Sequence, residues 1–208
     1  MKNSILKAVN LACGRGGDLL FKNLSFTLKG GSIIKVEGAN GVGKTSLLRI
    51  LVGLSSPIFG EVFWNEDLIQ ERTDFYRSQM LYLGHSDGLR TELTLSENIL
   101  FLQVLSGFDV DQNQVNANLQ TLGLGDVLDR PTSSLSKGQR RRGCLLRLFY
   151  AGDKPLWVLD EPFVGLDPHG IKAITSVIDN HVANGGLLVY ATHQPIAFKS
   201  PESIVSLD

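Results

Sequence analysis

Eight consecutive residues, Gly38-Ala39-Asn40-Gly41-Val42-Gly43-Lys44-Thr45, have the types and spacing needed to hold a chain of phosphates. They satisfy G-x-x-x-x-G-K-[ST], the phosphate-loop pattern, and sit after an apolar run and before an amphipathic one, the strand and helix the pattern requires. The glycines let the loop curl so that its amides face phosphate oxygens, and a helix start adds positive potential. Lys44 is placed to bridge the β- and γ-phosphates, Thr45 to ligate Mg²⁺, and Ser46 follows in the same stretch.

Such a loop needs a distant acid. Pro155-Leu156-Trp157-Val158-Leu159-Asp160-Glu161-Pro162 is an apolar strand ending in two carboxylates. Asp160 is the candidate for holding Mg²⁺, directly or through water, and Glu161 for the general base that polarises an attacking water. Taken alone, the same residues would read as a strand with a solvated acidic end. Together the two motifs predict a nucleoside triphosphatase and leave kinase, GTPase and ATPase open.

The elements that must position these residues are legible in the periodicity. Apolar runs at 5–11, 20–28 and 33–37 predict strands leading into the loop, and a helix follows over 44–51. Further short strands are expected at 61–64 and 80–83. Thr94-Leu95-Ser96-Glu97 has the S/T-x-x-E form of a capping box and opens a helix ending near 107. A second helix is expected over 110–122, stopped by Gly123 and Gly125, and a third opens at Ser136. Strands return at 156–159 and 187–191, with a helix between them starting at Asp167-Pro168, a cap followed by a first-turn proline. This predicts one α/β domain over 1–208, its core about 1–84 and 151–208, interrupted by a helical subdomain over about 85–150.

Composition narrows the class. With 208 residues, 20 Lys+Arg against 21 Asp+Glu and a formal charge of −1, a surface built for nucleic acid or anionic lipid is disfavoured. Cys13 and Cys144, in no CxxC pattern, argue against a disulfide scaffold or zinc cluster and fit a reducing compartment. No apolar run approaches the roughly 18–20 residues that cross a bilayer, so direct membrane insertion is not expected. Leu11-Ala12-Cys13 is a poor lipoprotein cleavage box, because Lys7 and Asn10 interrupt the apolar segment it needs.

Leu135-Ser136-Lys137-Gly138-Gln139 decides among the triphosphatases. It resembles the LSGGQ signature of the ABC ATPases, with Lys137 in place of the first glycine, although Ser136 to Gln139 is also an ordinary S-x-x-Q capping box. Val164-Gly165-Leu166-Asp167 resembles the family's D-loop, and His193, after strand 187–191, its switch histidine. The resemblance covers the whole chain. It implies a P-loop fold of ABC ATPase type: a RecA-like core, an N-terminal antiparallel β subdomain and a helical insert. It further implies ATP and Mg²⁺ as ligands and a second copy of the subunit, whose γ-phosphate would be met by Ser136, Gly138 and Gln139. His193 would touch the γ-phosphate and Glu161, and Asp167 would couple the two sites.

Three departures from the family pattern stand out. His85 occupies the place of the usual Q-loop glutamine, where a neutral imidazole can still make one hydrogen bond near the metal or the water. Residues 12–17 lack the aromatic that stacks on adenine; Arg15 could stack instead, or the glycine-rich hairpin has no such role. Lys137 adds a charge to the signature. Arg140-Arg141-Arg142, with Arg147, does not make a nucleic-acid stripe, since successive helical residues turn about 100° around the axis.

Within the family, Tyr82-Leu83-Gly84-His85, Gly88-Leu89, Glu92-Leu93-Thr94, Leu159 to Phe163 and Ala191-Thr192-His193-Gln194-Pro195 resemble the ATP-binding subunits of c-type cytochrome maturation, often described as haem exporters. This implies a peripheral subunit on the cytoplasmic face of a bacterial inner membrane that energises a polytopic membrane partner, for haem export or for release of a haem-loaded chaperone. Segment 86–93 would meet that partner, with Leu89 or Leu93 as apolar anchor. Other exporter ATPases, and an ATP-dependent dimer switch acting on a soluble partner, share the same core motifs; the partner's nature separates them.

Overall fold

Alternating apolar residues at the N-terminus fold into a long hairpin, β1 (Ile5–Arg15) and β2 (Asp18–Lys29), whose inward residues Leu6, Ala8, Leu11, Phe21 and Leu28 are buried. The structure, a computed structural model, describes residues 4–106 and 112–207. β1 also pairs antiparallel with β4 (Phe59–Trp64), which pairs with the two-residue β5 (Asp67–Leu68). The order of this antiparallel sheet is β2-β1-β4-β5.

A second sheet is wholly parallel. It contains β3 (Ser32–Glu37), β6 (Met80–Leu83), β7 (Leu156–Asp160), β8 (Leu187–Ala191) and β9 (Glu202–Ser206), in the order β6-β7-β8-β3-β9. Every residue of β7 and β8 is buried, as expected of central parallel strands covered on both faces. Helix α1 (Lys44–Leu51) buries Leu47, Leu48, Ile50 and Leu51 in one apolar core with residues of both sheets. The short α2 (Thr73–Ser78) adds Tyr76, whose hydroxyl donates to Leu51 O at 2.6 Å. Neither α2 nor the edge strand β9 was among the expected elements.

The remaining elements are α3 (Leu95–Ser106), α4 (Gln112–Thr121), α5 (Lys137–Leu145) and α6 (Pro168–Ala183). The expected helix end near 107 and helix start at 110 lie outside the described residues. Both capping boxes form. Thr94 N–H donates to Glu97 Oε2 at 2.8 Å while Glu97 N–H donates to Thr94 Oγ1 at 3.2 Å. Ser136 and Gln139 make the same reciprocal pair at 2.9 and 3.1 Å. At the start of α6, Asp167 Oδ1 accepts from Gly170 N–H at 2.7 Å.

The chain divides into two compact units. One comprises Met1–His85, Lys154–Glu161 and Asp179–Asp208; the other comprises Ser86–Asp153 and Pro162–Ile178. Among the described residues, no helix is long and apolar enough to cross a membrane.

Candidate functional site

In the first unit the parallel register brings four strand ends to one edge. Leu83 pairs with Leu159, Asp160 with Ala191, and Val36 with Ala191, so the segments that leave β6, β7, β8 and β3 emerge side by side. Carboxyl ends of parallel strands are where α/β sheets bind ligands. Here that edge carries His85, Asp160 and Glu161, Thr192 and His193, and the phosphate loop.

The loop leaves β3 and enters α1 at Gly43, whose φ of 117° is a left-handed conformation that a side chain would strain. A Cβ there would also come within 3.2 Å of Leu20 and Phe21. Gly43 contributes no side-chain cap and the first turn of α1 has no acidic residue. Its leading amides are therefore not capped from within by a side chain, the condition that suits an anion at a helix start. Ala39, Asn40 and Gly41 are exposed, while Gly38 and Val42 are half-buried. Lys44 Nζ folds over the loop and donates to Gly38 O at 2.7 Å and Ala39 O at 2.9 Å. Ser46 hydrogen-bonds the Cys13 thiol, whose pKa is raised by burial and only partly brought back by that bond.

Thr45 Oγ1 donates to Asp160 Oδ2 at 2.7 Å, so the first turn of α1 and the end of β7 present a hydroxyl and a carboxylate together. Asp160 is buried at 2% exposure. Glu161, next along the chain, is partly buried and has φ 49°, an uncommon conformation for a residue with a side chain. Its amide donates to Ala191 O at 2.9 Å. Its Oε2 accepts from Thr192 Oγ1 at 3.1 Å, and its Oε1 lies 3.7 Å from His193 Nε2. His193 is exposed.

His85 lies exposed at the same edge, beyond β6. Arg15 is exposed at the end of the β1–β2 hairpin, with Gly16 and Gly17 as the turn. Sequence reasoning missed Thr192 as a functional group. The available signal was a hydroxyl placed directly where an all-apolar strand ends, one residue before the histidine.

In the second unit, Ser136, Gly138 and Gln139 form the start of α5. Gly138 faces Gly165 closely: a Cβ on Gly165, at φ 78°, would sit 3.0 Å from Gly138 Cα. The arginines of α5 are used internally. Arg140 donates to Asp87 Oδ2 at 3.1 Å and to Leu135 O at 2.6 Å, Arg142 donates to Gly165 O at 3.3 Å, and Arg141 is buried. Segment 86–93 is held by buried Asn98, which accepts from Arg90 N–H at 2.7 Å and donates to Arg90 O at 2.9 Å. Thr132 Oγ1 donates to Leu93 O at 2.7 Å. Leu89 is half-buried toward Gly143, where a Cβ would meet it at 3.4 Å, and Leu93 is half-buried as well. The exposed side chains of the segment are those of Ser86, Arg90, Thr91 and Glu92.

Comparison with known proteins points the same way as these geometries. The family described as ABC transporter matches residues 21–164. The cytochrome c biogenesis ATP-binding export protein CcmA of Pasteurella multocida is 42% identical, over 92% of this chain and 89% of its own. The protein of the same name from Aromatoleum aromaticum is 43% identical, over 98% of this chain and 95% of its own. A solved structure described as the ATP-binding subunit of an ABC transporter is similar in fold, with a TM-score of 0.76 and 25% identity, over 91% of this chain and 80% of that one.

Proposed function

This chain belongs to the ABC transporter family as an ATP-binding subunit, and from that premise we propose that it hydrolyses ATP to energise a membrane complex in c-type cytochrome biogenesis. The observation that carries the reading is the constellation at the sheet edge: an uncapped helix start behind a glycine-rich loop, Thr45 on Asp160, and Glu161 within reach of Thr192 and His193.

In this reading the amides of 38–46 and Lys44 hold the phosphates of ATP, and Lys44 exchanges its bonds to Gly38 O and Ala39 O for phosphate oxygens. Thr45 Oγ1 and Asp160 are hard oxygen ligands that lie together, a fit for Mg²⁺, held directly or through water. The cation supplies neutralisation of phosphate charge. Glu161 takes the proton of the attacking water, and exposed His193 stands beside it to contact the terminal phosphate. His85 donates or accepts one hydrogen bond at the same edge.

A second copy of the chain completes the site. Ser136 already bonds the Gln139 amide within its own helix, so the start of α5 is ordered before any phosphate reaches it. The partner's nucleotide then meets Ser136, Gly138 and Gln139, and Asp167 couples the two sites. The membrane partner is a separate polytopic subunit and the chain sits peripherally on the cytoplasmic face of the inner membrane. The cargo step is haem export or release of a haem-loaded chaperone.

The test is genetic and biochemical together. Removing the protein from its bacterium should abolish haem-loaded c-type cytochromes, and the wild-type chain, co-purifying with a polytopic membrane protein, should restore them while Glu161→Gln should not. Normal c-type cytochromes in the deletion strain would overturn the assignment and return the reading to another exporter.

A further inference from the structure

The end of β8 holds Glu161 in two places. Ala191 O accepts the Glu161 amide at 2.9 Å, which fixes the backbone in its left-handed turn at φ 49°. One residue on, Thr192 Oγ1 donates to Glu161 Oε2 at 3.1 Å, which fixes the carboxylate. The hydroxyl is itself oriented, because Gln194 N–H donates to Thr192 Oγ1 at 3.2 Å. A hydroxyl has a single proton and two acceptor lone pairs. With the Gln194 amide on a lone pair, the proton is directed to the carboxylate. Thr192 is 5% exposed, so water does not readily compete for this bond.

The two oxygens of Glu161 are thereby made unequal. Oε2 carries the Thr192 bond, while Oε1 is the oxygen on the side of exposed His193, 3.7 Å from its Nε2. We propose that Thr192 is a positioning residue for ATP hydrolysis, holding Glu161 by Oε2 so that Oε1 faces the water whose proton it accepts. The inference rests on the reading of Glu161 as general base, and it concerns a residue that acts through Glu161 without touching ATP. A threonine serves better here than a longer polar residue, since its short, branched side chain is stiff and keeps the hydroxyl in one place.

The experiment compares Thr192→Val, Thr192→Ser, Glu161→Gln and the double variant Thr192→Val/Glu161→Gln by steady-state Mg-ATP hydrolysis and by equilibrium ATP binding. Valine keeps the shape and removes the hydroxyl. It should lower kcat by about 10-fold to 30-fold, the scale of one hydrogen bond to a charged group, with KM and ATP affinity within about twofold of wild type. Serine should restore most of the rate. Against Glu161→Gln, which is itself slow, adding Thr192→Val should change nothing further, because there is no base left to position. A purely structural threonine would lower the rate in both backgrounds by the same factor, and that result overturns the inference. Wild-type kcat in Thr192→Val, with Glu161→Gln slow, overturns it while leaving the base assignment standing. Wild-type kcat in Glu161→Gln overturns the base assignment and this inference with it. Thr192→Ala, measured alongside, carries the same test if the valine variant does not fold.

Discussion

Thr45 Oγ1 and Asp160 Oδ2 lie 2.7 Å apart although 115 residues separate them in the chain. One comes from the helix that follows the phosphate loop and the other from the end of β7, and the apolar core that buries α1 beside β7 is what makes them meet. A site that depends on two such distant pieces responds in distinct ways to changes in each.

Lys44 donates to two carbonyls of the loop, Gly38 O and Ala39 O. Lys44→Ala should weaken ATP binding by at least about 10-fold, since a charge-assisted bond to phosphate is lost. The melting temperature without nucleotide should stay near that of the wild type. Titration with a fluorescent ATP analogue, alongside thermal melts, reads both quantities.

Ser136→Arg should abolish turnover while leaving ATP binding at the phosphate loop intact, because in the proposed function Ser136 meets the nucleotide of a second copy. Mixed with Lys44→Ala, it should regain hydrolysis, since one composite site then keeps an intact loop and an intact signature. No gain on mixing at any ratio would argue against sites shared between chains.

Capping separates structure from function in a second pair. Thr94 and Ser136 make the same reciprocal box, yet only Ser136 is assigned a ligand. Thr94→Ala should cost about 1 kcal/mol in denaturant unfolding and leave the hydrolysis rate of the folded protein unchanged.

His181 is stacked on Trp157 at a 3.9 Å ring separation, and burial lowers its pKa to about 4. The unfolded chain binds this proton near pH 6.5. Between those values the unfolded state holds more protons than the folded one, so stability falls as pH drops from about 6.5 towards 4, by on the order of 3 kcal/mol. His181→Gln should flatten that slope in urea melts taken across the window.

Much of this arrangement is legible in the sequence because its signals are local. The phosphate loop, the apolar strand before Asp160 and each capping box are each spelled out within a few consecutive residues, and α1 occupies the residues that periodicity assigned to it. β9 was missed because its five residues carry no alternating pattern: Ile204 and Val205 are adjacent, and in the fold Val205 alone is buried in the strand. The sequence motif contains Thr192 but not its contact with Glu161, which arises from a strand-to-strand register, Asp160 beside Ala191, that no local pattern states. The segment after His85 illustrates the reverse. Leu89 or Leu93 is expected as an apolar anchor; in the fold both are half-buried, Leu89 toward Gly143 on α5, and the side chains exposed on the segment include those of Arg90, Thr91 and Glu92.

The proposed hydrolysis of ATP by this chain depends on Glu161 as the base. Replacing one carboxylate oxygen with an amide keeps the shape of the side chain and removes the proton acceptor. Under saturating Mg-ATP, Glu161→Gln should bind nucleotide as tightly as the wild type, its turnover should be slowed by roughly 10²-fold or more, and it should accumulate as an ATP-bound dimer. Turnover equal to that of the wild type, at the same ATP occupancy, would contradict the account.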